Sequence, residues 1–172
     1  MTSQASTATA GNVTGTCQNR ELVINWHMTE ACNYSCRYCY SKWHTDGSGK
    51  DVIRDREASA ALLAELYRHF TPDNSLNQAS LGMKWDSLRL SLAGGEPLLY
   101  DREIVRIASQ AREIGFKVSI ITNGSRLTRP LMAELAPQLS VLGLSLDSAA
   151  PSINREIGRV DRHSRVLSLD EL

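Results

Sequence analysis

The sequence lacks three features, and each absence excludes a class of partner or location. Nineteen basic residues are balanced by nineteen acidic ones, so no overall positive field favours nucleic acid or a membrane surface as a partner. No stretch reaches the ~18 uninterrupted apolar residues of a membrane span. Residues 1–20 also lack the apolar core that a secretory signal needs. Because the net charge is zero, any anionic ligand must be bound by groups close to its own site.

Composition is typical of one soluble globular domain, with 42% hydrophobic and 22% charged residues. Residues 1–20 are rich in Ser, Thr, Ala and Gly, which predicts a disordered polar tail. Cys17 lies in this tail and is interpreted as an incidental free thiol. We expect the folded core to extend over residues 21–172.

Three of the four cysteines, Cys32, Cys36 and Cys39, stand at CxxxCxxC spacing. They cannot all pair as disulfides, and a structural zinc site needs a fourth ligand, for which only His44 lies close by. A four-iron cluster fits better, because three thiolates leave one iron free for an outside ligand. The spacing favours this cluster over a zinc knuckle. Such thiolates need a reducing compartment, which predicts a cytoplasmic protein.

Strand and helix patterns alternate along the chain in the order βαβαβαβ. Strands are predicted over 22–28, 88–92, 117–121 and 141–146, and helices over 54–70, 101–115 and 127–139. The second helix has an apolar face formed by Ile104, Ile107, Ala108, Ala111 and Ile114. This order predicts a parallel sheet whose ligand lies beyond the carboxyl ends of the strands.

Polar or glycine-rich segments follow the four predicted strands directly. They are the cysteine loop, Ala93-Gly94-Gly95-Glu96-Pro97, Thr122-Asn123-Gly124-Ser125 and the run containing Ser145, Asp147 and Ser148. Two glycines allow the backbone to approach a ligand closely, and the Glu96 carboxylate can accept hydrogen bonds from an ammonium group. The last two segments are also consistent with ordinary turns.

Two strand residues are candidates for ligand contact inside the sheet. Alternation places Asn25 with Val23 and His27 on one face, where a polar ligand or merely neighbouring backbone could satisfy it. Arg89 lies within the second strand. An uncompensated buried charge costs several kcal/mol, so either an acidic side chain or a ligand must pair with Arg89.

The CxxxCxxC run with Tyr38 before its last cysteine, followed by GGEP, resembles the radical S-adenosylmethionine (SAM) superfamily. Further motifs narrow the resemblance from the superfamily to one family. They are Asn25-Trp26-His27 upstream of the cysteines and then, in this order, TNGS, SLDS, Asn154, Ile157-Gly158-Arg159 and His163. This series resembles the viperin family over about residues 21–170.

The resemblance implies a (βα)6 radical SAM barrel, of which about four βα units are present, and two cofactors, a [4Fe-4S] cluster and SAM. It implies that the three cysteines hold the cluster. The implied SAM-binding residues are Tyr38, Gly94, Gly95, Glu96, Asn123, Ser125 and Ser145. The implied nucleotide-facing residues are Asn25 and Arg89.

The chemistry implied by this resemblance is reductive cleavage of SAM to methionine and a 5'-deoxyadenosyl radical. The radical removes the ribose 4'-hydrogen of CTP or another nucleoside triphosphate, which becomes the 3'-deoxy-3',4'-didehydro nucleotide. Prokaryotic members act in phage defence. The implied partners are the nucleotide and an external electron donor of the flavodoxin or ferredoxin type.

The chain departs from the family at two places. Arg89 and Ser91 stand where animal members usually carry Lys and Asn, so the resemblance does not determine which base the nucleotide carries. The chain ends at Leu172, where residues 168–172 predict the start of a fourth helix. The remaining triphosphate-binding residues are expected in a missing C-terminal half. The chain is then a fragment, a truncated product or one piece of a split protein.

Two alternatives stay open from the sequence. One is another radical SAM enzyme, such as a peptide modifier or a glycyl-radical activator. The other is a non-catalytic fragment that retains the cysteine loop.

Overall fold

The computed structural model describes residues 21–40, 52–75, 84–163 and 165–166. The expected polar tail with Cys17, the neighbourhood of His44 and the expected helix over 168–172 lie outside the described residues. Within the described ranges, no helix has the length and apolar character needed to cross a membrane.

In the part of the chain that the structure describes, four parallel strands form a sheet in sequence order. They are β1 (Glu21–His27), β2 (Ser87–Ala93), β3 (Lys117–Thr122) and β4 (Val141–Leu144). Each strand pairs with the next in parallel register. The predicted α/β class with a parallel sheet is therefore confirmed.

Within the described residues, four α-helices alternate with or follow the strands. They are α1 (Arg56–Phe70), α2 (Asp101–Ile114), α3 (Arg129–Leu135) and α4 (Pro151–Glu156). Short 3-10 helices lie at Val52–Arg54, Pro97–Tyr100 and Ala136–Gln138. Helix α1 begins where the Asp55 carboxylate accepts a hydrogen bond from the Ala58 amide at 2.9 Å.

The sheet has one covered face and one open face. Leu88, Leu90 and Leu92 of β2 are buried with Ile104, Ile107 and Ala108 of α2 in the hydrophobic core. On the other face, Val23 and Ile121 are exposed, as is Asn25. The described part of the sheet thus presents this open face to solvent. Its carboxyl-terminal edge is hereafter called the rim.

Candidate functional site

The cysteine loop, residues 32–39, leaves the carboxyl end of β1 and is anchored by the segment that follows α4. The amide of Ser35 donates to the carbonyl of Gly158 at 3.3 Å, and the amide of Arg37 donates to the carbonyl of Ile157 at 2.9 Å. Gly158 has a φ of +79°, and a Cβ there would lie 2.4 Å from the Ser35 carbonyl oxygen. A glycine is therefore required for this close contact.

All three loop cysteines are free thiols, with Cys32 buried and Cys36 and Cys39 half-buried. Burial raises the pKa of Cys32 to about 11, and the negative charges of Glu96, Cys36 and Cys39 add to this effect. Burial also raises the pKa of Cys36. Repulsion among the thiolates therefore adds to the cost of ionising them, and a bound cationic iron centre would offset that cost.

This donor set, three free thiols on one loop, fits a four-iron cluster. A [4Fe-4S] cluster takes each thiolate on a different iron, so its ligands need not converge on one point.

The glycine pair after β2 packs against the backbone that leads into the cysteine loop. The Gly95 amide donates to the Thr29 carbonyl at 2.8 Å, and the Glu96 amide donates to the Ala31 carbonyl at 2.8 Å. A Cβ on Gly95 would lie 2.1 Å from the Ala31 oxygen, and one on Gly94 would lie 2.6 Å from the Thr29 oxygen. These two glycines thus allow the backbone after β2 to lie close to the backbone of Thr29 and Ala31.

Glu96 is fully buried and joins the ends of β2 and β3. Its Oε1 accepts hydrogen bonds from the Leu98 amide at 2.9 Å and the Thr122 hydroxyl at 2.7 Å, and its Oε2 accepts one from the Asn123 amide at 2.7 Å. Burial raises the pKa of this carboxyl, whereas the three donors oppose that shift. A carboxylate has about four acceptor positions, so one remains for an outside donor such as an ammonium group.

Asn33, the residue after Cys32, connects the cysteine loop to the turn that follows β3. Its Nδ2 donates to the Ser125 hydroxyl at 2.8 Å, and its Oδ1 accepts a hydrogen bond from Asn123 Nδ2 at 3.0 Å. Asn123 Oδ1 in turn accepts hydrogen bonds from the Ser125 amide and hydroxyl at 2.9 and 2.6 Å. The structure therefore brings two predicted SAM-binding residues against Asn33, the residue that follows the first cysteine.

An ion pair that is buried only on its arginine side lies beside the same loop. Arg159 is only 4% exposed, and its Nη1 lies 2.7 Å from Asp147 Oδ2. Tyr38 donates its hydroxyl to the same carboxylate oxygen at 2.6 Å. Burial and this acceptor raise the pKa of Tyr38, so its hydroxyl remains protonated.

The guanidinium of Arg159 also spans the ends of β3 and β4. Its Nη2 donates to the carbonyl oxygens of Asn123 and Ser145. Its central carbon lies 5.6 Å from the centroid of the Tyr34 ring, within the range of a cation–π interaction. One side chain thus contacts the cysteine loop and the segments that follow two strands.

The two predicted nucleotide-facing residues lie in different surroundings. Asn25 is exposed on the open face, opposite Ser91 in the strand register. Arg89 donates from Nε to Glu21 Oε2 at 2.6 Å, and Lys117 donates to Glu21 Oε1 at 3.1 Å. The acidic partner required for Arg89 is therefore Glu21, while Arg89 Nη1 is buried and has no hydrogen-bond partner among the described residues.

A cavity of about 280 Å³ lies against Cys32 and Asn33. Ser125 and Arg126 line one part of it, and residues 161–163 and Arg165 line another. Leu99 also lines the cavity, and arginine side chains therefore lie beside a predicted cluster ligand.

The structure brings together the three cysteines, Tyr38, the GGE segment, Asn123, Ser125 and Ser145 along the rim, whereas Arg89 is held nearer the amino end of its strand. Sequence reasoning assigned no role to Asn33, Asp147 or Arg159. Arg159 had only its place in the Ile-Gly-Arg motif as a signal, and Asn33 only its place between two cysteines.

Comparison with known proteins gives concordant findings. An S-adenosylmethionine-dependent nucleotide dehydratase of Pseudoalteromonas ulvae is 42% identical over 149 residues, which are 87% of this chain and 47% of the relative. One of the same name from Psychrobacter lutiphocae is 38% identical, over 85% of this chain and 47% of the relative. The chain spans about half the length of these curated relatives.

A solved structure, Streptococcus suis SuiB bound to S-adenosylmethionine, is 22% identical with a TM-score of 0.46, covering 86% of this chain and 28% of that one. Residues 26–169 match the family described as the Radical SAM superfamily. This match includes the cysteine loop and every segment of the rim. The chain therefore belongs to the radical SAM superfamily.

Proposed function

We propose that these residues carry the cofactor-binding part of a SAM-dependent nucleotide dehydratase of the viperin type. The observation that supports this most directly is the 42% identity to a protein of that name over 87% of this chain. The proposed substrate is CTP or another nucleoside triphosphate, and the proposed role is antiviral defence against phage. We place the protein in the cytoplasm, because its cluster thiolates need a reducing compartment.

The superfamily uses a [4Fe-4S] cluster with SAM. When bound, the two supply a 5'-deoxyadenosyl radical that removes a substrate hydrogen. We propose that Cys32, Cys36 and Cys39 hold the cluster. All three are free thiols on one loop, and the Gly158 carbonyl holds that loop by a hydrogen bond from the Ser35 amide. This arrangement supports the assignment.

Protein groups position the cofactors and exclude water. We propose that Glu96 uses its remaining acceptor position for the SAM ammonium group, with Gly94 and Gly95 fixing its approach. Asn123, Ser125, Ser145 and the backbone of Tyr38 would border SAM, and all of them lie along the rim. Arg159 contacts three of these segments and so helps to hold the rim together.

The substrate side is proposed to lie over the open face of the sheet. Asn25 is exposed there and can donate to or accept from a nucleotide. Arg89 is already paired with Glu21, so it can contribute to nucleotide binding only through a rearrangement of that ion pair. The proposed partners are the nucleoside triphosphate and an external electron donor of the flavodoxin or ferredoxin type. The further triphosphate-binding residues would belong to a C-terminal half.

The experiment is to reconstitute the protein with iron and sulfide and incubate it with SAM, dithionite and a panel of nucleotides. We expect 5'-deoxyadenosine to form faster with one nucleoside triphosphate, together with a dehydrated product. A yield that is the same with every nucleotide would point to another radical SAM reaction. No cleavage in any mixture, despite a bound cluster, would indicate a non-catalytic piece.

A further inference from the structure

A basic surface surrounds the cavity beside Cys32. It comprises Arg126, Arg162, His163 and Arg165, all of which are exposed. The whole chain has a formal net charge of zero, so this concentration of arginine is a local feature. We refer to these four residues as the basic surface.

Asp161 holds the backbone of His163 and Arg165 in place and neutralises only one of the three arginines of this surface. Its carboxylate accepts hydrogen bonds from the amides of His163 and Arg165 at 2.8 and 2.9 Å and pairs with the Arg165 guanidinium at 2.8 Å. The Arg165 and His163 amides lower the pKa of Asp161 to about 2, so Asp161 is ionised and balances Arg165. Arg126 and Arg162 therefore supply the excess positive charge.

Arg126 and Arg162 are available to an outside partner. Within the described parts of the chain, no carboxylate lies within salt-bridge distance of either guanidinium. Arg162 Nε lies 3.1 Å from His163 Nε2, which orients the arginine along the surface. The same cavity reaches Cys32, so a protein docked here would lie next to a proposed cluster ligand.

We propose that the basic surface is the docking site for an acidic electron-carrier protein of the flavodoxin type, an inference that rests on the proposed function. Each reductive cleavage of SAM consumes one electron, and the reduced carrier supplies it and is oxidised by one electron. Long-range attraction between a basic and an acidic surface accelerates the encounter of two proteins. Charge and proximity to Cys32 thus coincide on one surface.

The test measures binding of a bacterial flavodoxin to the full chain at low and high salt. We expect the double variant Arg126→Gln/Arg162→Gln to reduce the association rate by about tenfold at low salt, with the difference disappearing near ~0.5 M salt, where screening is strong. The control Lys84→Gln/Arg112→Gln removes the same charge from exposed positions away from the rim and should bind as the unsubstituted chain does.

Absence of flavodoxin binding, or an equal loss in both double variants, would overturn the proposal. So would a variant that keeps flavodoxin binding but loses affinity for CTP, because the surface would then serve the substrate. Dithionite-driven SAM cleavage is measured separately. Dithionite needs no docking site. Failure of dithionite-driven SAM cleavage would therefore count against the proposed function and would not change the conclusion on flavodoxin binding.

Discussion

At the rim, the side chain of Arg159 holds together segments that are far apart in sequence. Its ion pair with Asp147 is buried on the arginine side and about one third exposed on the aspartate side. Removing Arg159 would leave Asp147 hydrated at the surface, but it would also take a hydrogen-bond donor from the carbonyl oxygens of Asn123 and Ser145. Arg159 should therefore affect both the stability of the fold and the order of the cysteine loop.

We predict that Arg159→Ala lowers the free energy of unfolding by about 1–3 kcal/mol, because the Asn123 and Ser145 carbonyls lose a donor while Asp147 stays hydrated. Urea unfolding followed by circular dichroism measures this change. The control is Arg155→Ala, which removes an exposed arginine from α4. Equal losses in the two variants would contradict a specific role for Arg159.

Glu21 gives a second prediction, which concerns pH. Hydrogen bonds and charge from Arg89 and Lys117 lower its pKa below the usual 4.5. A lowered folded-state pKa contributes stability above the unfolded-state value, and that contribution is lost as the pH falls through the folded-state value. Glu21→Gln should therefore be less stable than the original chain at neutral pH, with a smaller difference at about pH 3.

Thermal unfolding of both proteins across this pH range provides the measurement. A difference that stays constant with pH would show that the Glu21 charge does not stabilise Arg89 and Lys117. Sequence reasoning had left two partners open for Arg89, an acidic side chain or the nucleotide. It could not choose between them, because the pairing of Arg89 with Glu21 depends on the register of β1 against β2.

The elements themselves follow closely from local patterns. The apolar positions predicted for α2 are the ones that pack against the sheet, because helical periodicity alone determines that face. Helix α4 was not predicted, since six residues starting at Pro151 carry too short a pattern. Strand β4 ends at Leu144 rather than Leu146, where the chain turns toward Arg159. Long-range contacts of this kind leave no local signal.

Gly158 gives a prediction for the cysteine loop as an element. Gly158→Ala places a Cβ against the Ser35 carbonyl in a backbone conformation that costs about 1–3 kcal/mol for other residues. We expect the loop to shift and the iron content after reconstitution to fall by more than half. Iron analysis and the visible absorption spectrum measure this loss.

Gly115→Ala is the matched control. Gly115 also has a positive φ, of +120°, and a Cβ there would lie 2.5 Å from the Tyr67 hydroxyl, on the covered side of the sheet. This variant should lose comparable stability and keep its iron. If both variants lose iron equally, the effect is one of general unfolding, and Gly158 has no specific role at the loop.

For the molecule as a whole, the described sheet is covered on one face only, and its site is built from segments that follow all four strands. Backbone and side-chain contacts at Gly158, Glu96, Asn33 and Arg159 connect these segments. A cofactor bound among them stabilises the folded state, because binding to the folded chain shifts the unfolding equilibrium. The stability of the whole chain should therefore depend on cluster loading.

We predict that reconstitution with iron and sulfide raises the thermal unfolding midpoint by about 5 °C or more, as expected for 1–3 kcal/mol in a chain of this size. The rise should disappear when a chelator removes the iron and should be absent from a triple Cys→Ala variant at positions 32, 36 and 39. Cys17→Ala should retain the full rise, since this thiol lies outside the loop. An equal rise in the triple variant would mean that iron binds elsewhere. The three cysteines would then not form the cofactor site on which the proposed function depends.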